Sequence, residues 1–413
     1  MVPDLPSLRI GIVDQTSRGW IAASIYSRMI LRSLERASSS SAVELFFLKS
    51  PGNEDHLPGP SRAISVRLTS ADYMPGERQL RKMFGLTEKS RAWRGEDRLR
   101  RVLRLTSQSD VFSIARQNRI DVLLPLLDLP PWKIEARTIG WIPDFQHLHL
   151  PEFFSQTDLD RRNMTYHRLA ERASVIMLSS RAACDDFAKF APAQAHKARV
   201  IPFPSLLVFD DLDADPVATR DKFNLPEKFA LIANQFWAHK NHALVVRALD
   251  LLHRGGIDIP VVMTGLPSDH RDPANKNFSS LLQSIATADL NRQITILGLV
   301  PYKNLVNLMR TATLILQPSR FEGWSTIVQD AIALGRPLLC SDINVHREQA
   351  PQAIGFFPVD NPDALAELLA THWESLSTGP DKVLENSSLA SERNTSARHG
   401  ESLLKLCAEL AMA

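Results

Sequence analysis

Glu322 and Asp330 stand eight residues apart in one short stretch, RFEGWSTIVQDAIALGRP (320–337), whose residue types could hold a diphosphate and the sugars on either side of it. The apolar run Leu314 to Leu316 reads as a strand closed by Pro318 and Ser319. Ser325 and Thr326 are good N-cap residues, and Ile327, Val328, Ala331, Ile332 and Leu334 follow at helical spacing until Gly335 and Pro337 stop them. A helix N-terminus offers unpaired N–H groups and a positive dipole end, which suit a phosphate. Gly323 allows a close backbone approach, and an ionised carboxylate accepts hydrogen bonds from sugar hydroxyls. Glu322 at the helix mouth and Asp330 further along would then each hold one sugar. Taken alone, the same residues also read as an ordinary capped helix with an exposed acid.

A second group with chemistry in it lies at 141–154, WIPDFQHLHLPEFF. Catalytic groups in α/β proteins gather on loops at strand C-termini. Asp144 is the best candidate there and His147 the next. His147 and His149 alone do not make a metal site, since two ligands are too few. Residues 210–215, DDLDAD, contain a D-x-D match, but they sit in a proline-flanked connector with no strand before it and read as a solvated acidic linker.

The elements that must position these residues are legible as alternating apolar runs and amphipathic helices. Strands are expected at Leu8–Val13, Val43–Leu48, Ile120–Leu127, Thr138–Ile142, Ser174–Ser179, Phe229–Asn234, Ile259–Thr264 and Gln293–Leu297. Helices are expected near Trp20–Ala37, Gln156–Ala173, Arg181–Phe190 and Asn361–Ala370, with a helical tail from about Gly379. At 413 residues two domains are expected. Residues 1–208 form the first, 209–380 the second, and 381–413 a C-terminal helix that crosses back to the first.

Net charge is +2, which gives no sign of a nucleic-acid partner. The cysteines, Cys184, Cys340 and Cys407, have neither metal nor disulfide spacing, which suits a reducing cytoplasm. No signal peptide or membrane span is evident. Residues 77–104 are the exception in composition, with ten Lys/Arg against four acids and interleaved apolar residues. They read either as a basic amphipathic surface for anionic lipid or as a solvated helical insertion.

The stretch 320–337 resembles the E-x7-E signature of retaining glycosyltransferases of family 4, also called glycosyl transferases group 1, and so do its flanks LILQPSRFEGWS and ALGRPLLCSDINVHREQ. The resemblance implies an α/β protein of GT-B fold, with two Rossmann-like domains facing each other across a cleft. It implies a nucleotide-diphosphate sugar as donor, with no cofactor and no metal, and a glycan or lipid-linked acceptor. The protein would be cytoplasmic or peripheral on the inner face of the membrane.

By that resemblance Glu322 contacts the donor sugar, Gly323, Trp324, Ser325 and Thr326 approach the diphosphate, and Asp330 binds the ribose. Lys240, in QFWAHKNHALVVRAL, would neutralise the leaving diphosphate, and Asp144 and His147 would face the acceptor. The sequence departs from the family at four places. The loop usually written GWIGG is Gly19, Trp20, Ile21, Ala22, Ala23; an arginine is replaced by Gln235; the second acid is the shorter Asp330. Arg320 is the candidate to compensate for Gln235. A nucleotide-sugar epimerase, a phosphorylase-like enzyme and a catalytically silent sugar-nucleotide-binding subunit are the alternatives to a transferase.

Overall fold

The computed structural model describes residues 8–15, 21–38, 43–49, 62–65, 109–130, 133–209, 212, 215–269 and 271–413. Gly19, Trp20, the basic stretch 77–104 and most of the acidic connector 210–215 lie outside the described residues.

The first half folds as β1 (Leu8–Val13), α1 (Ile21–Ala37), β2 (Val43–Lys49), β3 (Arg62–Ser65), α2 (Ser109–Gln117), β4 (Val122–Leu126), β5 (Arg137–Trp141), the single turn α3 (Gln146–His149), α4 (Gln156–Arg172), β6 (Val175–Leu178), α5 (Arg181–Phe190) and β7 (Ala198–Val200). Its strands form one sheet in the order β3-β2-β1-β4-β5-β6-β7, with every pair parallel. The second half runs α6 (Val217–Lys222), β8 (Ala230–Ala233), α7 (His242–Arg254), β9 (Val261–Thr264), α8 (Lys276–Thr287), β10 (Ile294–Gly298), α9 (Tyr302–Thr311), β11 (Leu314–Gln317), α10 (Thr326–Ala333), β12 (Leu338–Ser341), α11 (Asn344–Gln349), β13 (Gly355–Phe357), α12 (Pro362–His372) and α13 (Lys382–Met412). Its sheet has the order β10-β9-β8-β11-β12-β13, again all parallel.

These strands read as unbroken apolar runs because helices cover both faces of a parallel sheet. The central strands β4, β8, β9, β11 and β12 are buried along their whole length. Each sheet reverses its strand order once, between β1 and β4 and between β8 and β11. At such a reversal neighbouring loops diverge and leave a crevice at the strand C-termini. Among the described residues, no helix is long and apolar enough to cross a membrane.

Helix α13 joins the two halves. Its 31 residues span about 46 Å at 1.5 Å per residue. Asp381 caps it by accepting the N–H groups of Val383 and Leu384. Its first turns pack on the second domain, where the Glu385 carboxylate accepts two hydrogen bonds from Arg310 on α9, at 2.7 and 2.9 Å. Its last turns put Leu403, Leu406 and Cys407 into the core formed by Tyr26, Met29 and Ile30 of α1. Gly400 marks the crossing point with α1, since a Cβ there would lie 2.1 Å from the Ser33 carbonyl oxygen.

That contact is testable. Gly400→Val forces α13 away from α1 and should cost about 1–3 kcal/mol, the scale of overpacking a close-packed site. Thermal denaturation should show a lower Tm; an unchanged Tm would contradict this helix crossing.

Candidate active site

The strand reversal between β8 and β11 brings together two residues that lie 82 positions apart in the chain. β8 leads through a short 3-10 turn, Ala238–Lys240, to Lys240, and β11 leads through Pro318 to Glu322. The Lys240 ammonium and a Glu322 carboxylate oxygen are 2.5 Å apart, with side chains only 16 % and 10 % exposed. The same Glu322 oxygen accepts a hydrogen bond from the amide of Gln317, the last residue of β11, at 2.9 Å. Gln317 in turn accepts from the Asn234 amide at 2.8 Å, just past the end of β8. Two buried amides therefore tie the diverging strand ends together and aim the carboxylate. Asn241, in the left-handed conformation at φ 59°, donates to the carbonyls of Pro318 and Val359 and fixes the turn that carries Lys240.

Glu322 sits at the mouth of α10. Ser325 is the N-cap, its hydroxyl accepting the Val328 N–H at 3.3 Å. The Gln349 amide grips Ser325 from the other side, accepting its N–H at 3.1 Å and donating to its carbonyl at 2.7 Å. Thr326 is the first residue of the helix. Gly323 has no room for a side chain, because a Cβ would lie 2.0 Å from the Pro143 carbonyl oxygen and 3.0 Å from the Asp144 Cβ. The glycine thus admits the loop of the first domain right beside Glu322.

The histidines packed here stay neutral at neutral pH. Burial pushes His239 well below the usual imidazole range, helped by Lys240 and Arg271, and pushes His242 down to about 3. Burial also lowers His346, against the pull of the Glu322 carboxylate.

On the facing side, Asp144 follows β5. Its Oδ1 accepts the Gln146 N–H at 2.9 Å and a hydrogen bond from Arg162 at 3.2 Å. The Asp144 side chain is 25 % exposed, but His147 is buried. It is 1 % exposed, packs among Phe145, Phe154, Tyr166 and Phe190, and its Nε2 lies 3.0 Å from the Asn163 side-chain oxygen. Burial lowers its pKa as well. His149 is largely exposed, pairs with Asp186 at 2.8 Å, and its ring lies 5.0 Å from that of Phe321 across the cleft.

The remaining sequence candidates fall in several places. Trp324 donates its indole N–H to the Phe203 carbonyl at 3.1 Å, on the segment between the domains. Asp330 is buried, with Oδ1 accepting the Ser205 hydroxyl at 2.6 Å. Glu392 of α13 accepts the Ser205 N–H at 2.6 Å and the Gln329 amide at 2.9 Å. Asp330 is thereby joined to a network that links the interdomain segment, α10 and α13. Gln235 is half-buried beside Gly265. Arg320 pairs with the exposed Asp360 at 2.9 Å. Sequence reasoning missed Gln317, Asn234 and Arg162. The one signal for Gln317 is a polar residue closing an otherwise apolar strand, LILQ. Among the described residues, no group of three His, Cys, Asp or Glu side chains could hold a metal ion.

Known proteins share this architecture. Sucrose-phosphate synthase from Thermosynechococcus elongatus superposes with a TM-score of 0.67 at 14 % identity, over 98 % of this chain and 99 % of that one. A UDP-forming trehalose-phosphate synthase from Burkholderia xenovorans gives 0.66 at 12 % identity, covering 97 % and 99 %. Anabaena HepE in complex with UDP gives 0.60 at 13 %, covering 97 % and 100 %. In sequence, the chain is 23 % identical over 221 residues to alpha-D-kanosaminyltransferase of Streptomyces kanamyceticus, a match that takes in 51 % of this chain and spans about half, 55 %, of that relative. The fold is the GT-B fold. Residues 218–386, the domain that carries Lys240, Glu322 and Asp330, match the family of glycosyl transferases group 1.

Proposed function

We propose that the protein is a retaining glycosyltransferase that moves a sugar from a nucleotide-diphosphate donor to a hydroxyl of a glycan or lipid-linked acceptor. The observation that carries this is the Lys240–Glu322 pair at the strand reversal of the second domain, with Asp144 of the first domain held opposite through Gly323. The relatives' names support it. One is a kanosaminyltransferase, and HepE has been crystallised with UDP, with UDP and glucose, and with UDP-glucose.

In this reading the paired ions exchange partners when the donor arrives. The diphosphate takes Lys240, whose point charge then stabilises the negative charge that develops on the leaving group. Glu322, freed from the ammonium but still oriented by Gln317, accepts hydrogen bonds from the donor sugar. The amides at the mouth of α10 add a positive dipole end to the same site. Asp144, oriented by Arg162 and the Gln146 N–H, positions the acceptor hydroxyl. A double-displacement glycosidase mechanism would need a second carboxylate as nucleophile on the opposite face of the sugar. The family resemblance instead suggests front-face transfer, in which the departing diphosphate takes the acceptor proton. Positive charge comes from Lys240 and the helix end, so the reading requires no metal.

Kinetics, nucleotide binding and chelation check this. Glu322→Ala should lower kcat/KM by at least ~100-fold, the scale of a lost charge-assisted transition-state contact. Nucleoside diphosphate affinity should hold or rise in that variant, since Lys240 loses its competing partner. Asp330→Ala should instead weaken nucleoside diphosphate binding; identical behaviour of the two variants in calorimetry and kinetics would contradict the division of roles. Separately, donor turnover should survive EDTA. Loss on chelation with recovery on Mn2+ or Mg2+ would contradict the metal-free scheme.

A further inference from the structure

Arg271 lies in none of the segments that carry sequence motifs. It follows β9 on the loop before α8, yet its side chain is only 9 % exposed. Within its own domain the guanidinium donates to both oxygens of Asp269, at 3.1 and 3.2 Å, which balances its charge and fixes the plane of the fork. Its Nη2 also lies 3.3 Å from Nδ1 of His239, the residue before Lys240. The neutral imidazole accepts there. The guanidinium carbon lies 5.0 Å from the centre of the Trp237 ring.

The same side chain reaches the other domain. Its Nη1 donates to the Gln146 side-chain oxygen at 3.2 Å, and its guanidinium lies 5.1 Å from the Phe154 ring. Phe154 also carries the Arg162 guanidinium, 4.9 Å from its ring. Gln146, through its backbone N–H, and Arg162, through its side chain, are the two residues that hold Asp144 Oδ1. Arg271 thus touches one holder of Asp144 directly and the other through a shared aromatic ring. Its contacts with Trp237 and His239 fall on the turn that delivers Lys240.

We propose that Arg271 is a positioning residue, docking the acceptor-side loop 144–154 on the donor-side turn 237–240 and so setting Asp144 against Lys240 and Glu322. Its consequence for turnover rests on the transferase reading above; the docking itself does not. A guanidinium suits the place, because one side chain serves Asp269, His239 and Gln146 from its separate nitrogens while its carbon lies 5.1 and 5.0 Å from the Phe154 and Trp237 ring centres. A lysine could keep the charge but not those separate nitrogens.

The test combines hydrogen exchange, nucleotide binding and kinetics on the full chain, for wild type, Arg271→Ala, Arg271→Lys and Gln146→Leu. Gln146→Leu removes the same contact from the opposite domain at similar side-chain size, so the proposal does not depend on Arg271→Ala folding. Peptides covering 144–154 should exchange about tenfold faster in Arg271→Ala and in Gln146→Leu. The one of UDP, GDP and dTDP that most raises the wild-type Tm should bind these variants within about twofold of wild type. On the UDP-, GDP- or dTDP-hexose that wild type consumes, kcat should fall roughly tenfold with the donor KM unchanged. Arg271→Lys should restore neither exchange protection nor kcat. Unchanged exchange at 144–154 would overturn the docking. Nucleotide affinity falling in proportion to kcat would place Arg271 on the donor itself and overturn the positioning role. A wild type that consumes none of these sugars contradicts the proposed function alone, and the exchange result then decides the docking by itself.

Discussion

An ammonium and a carboxylate 2.5 Å apart, both largely withdrawn from water, constrain everything around them. Two such charges are stable at low exposure only when each is paired and its remaining valences are met. For this pair the fold meets that condition at the reversal of strand order between β8 and β11, where neighbouring strands deliver their loops to opposite sides of a crevice. Gln317 and Asn234 close the strand ends beneath the pair, and Asn241 locks the lysine-bearing turn to the Pro318 loop. The result is a charged pair whose members are held by separate scaffolds. In the proposed function, a diphosphate takes the lysine while the glutamate stays aimed.

The same site is completed from outside its own domain. Gly323 lets the Pro143 carbonyl and Asp144 approach the loop that bears Glu322. Glu348 of α11 accepts the Arg181 N–H on both carboxylate oxygens at 2.9 Å, capping helix α5 of the first domain from the second. Ser205, on the segment between the domains, is held by Asp330 and Glu392 together. Burial raises the Glu392 carboxyl above its ordinary range, which marks how far this network is withdrawn from water. Helix α13 ties it to α1 at the far end. Relative placement of the halves is therefore set by hydrogen bonds and close backbone contact at several separated points, not by one surface.

Local structure was largely legible in the sequence. The apolar runs gave nearly all the strands of both sheets, and Arg181–Phe190 was bounded to the residue because Ser180 caps it and apolar spacing ends at Ala191. The stretch 320–337 folds as its caps demand, with Ser325 at the N-cap of α10 and the helix finished before Gly335. Short β3 and β13, and helices α2, α8 and α11, were not anticipated. What the sequence withholds is partnership over distance. The resemblance puts Asp330 on the donor ribose and its helix alone makes it an exposed acid, yet its carboxylate accepts the hydroxyl of Ser205, 125 residues away. Arg320 reads as a spare cation for the place of Gln235, but it turns to Asp360. Arg271 carries no motif, because its value lies in which two loops it reaches. His147 reads as the acceptor-side candidate next to Asp144, and only the fold reveals the aromatic cage around it.

The proposed function makes Lys240 a diphosphate ligand whose resting partner is Glu322. Calorimetric titration of Lys240→Met with UDP, GDP and dTDP, beside wild type, tests this most directly. The substitution keeps the length of the stem and removes the charge. Loss of roughly tenfold or more in affinity for the nucleoside diphosphate that wild type binds, with affinity for the corresponding nucleoside nearly unchanged, is the result expected for one lost charge-assisted contact. Equal nucleoside diphosphate affinity in the two proteins would contradict the account and return the Lys240–Glu322 pair to a purely structural role.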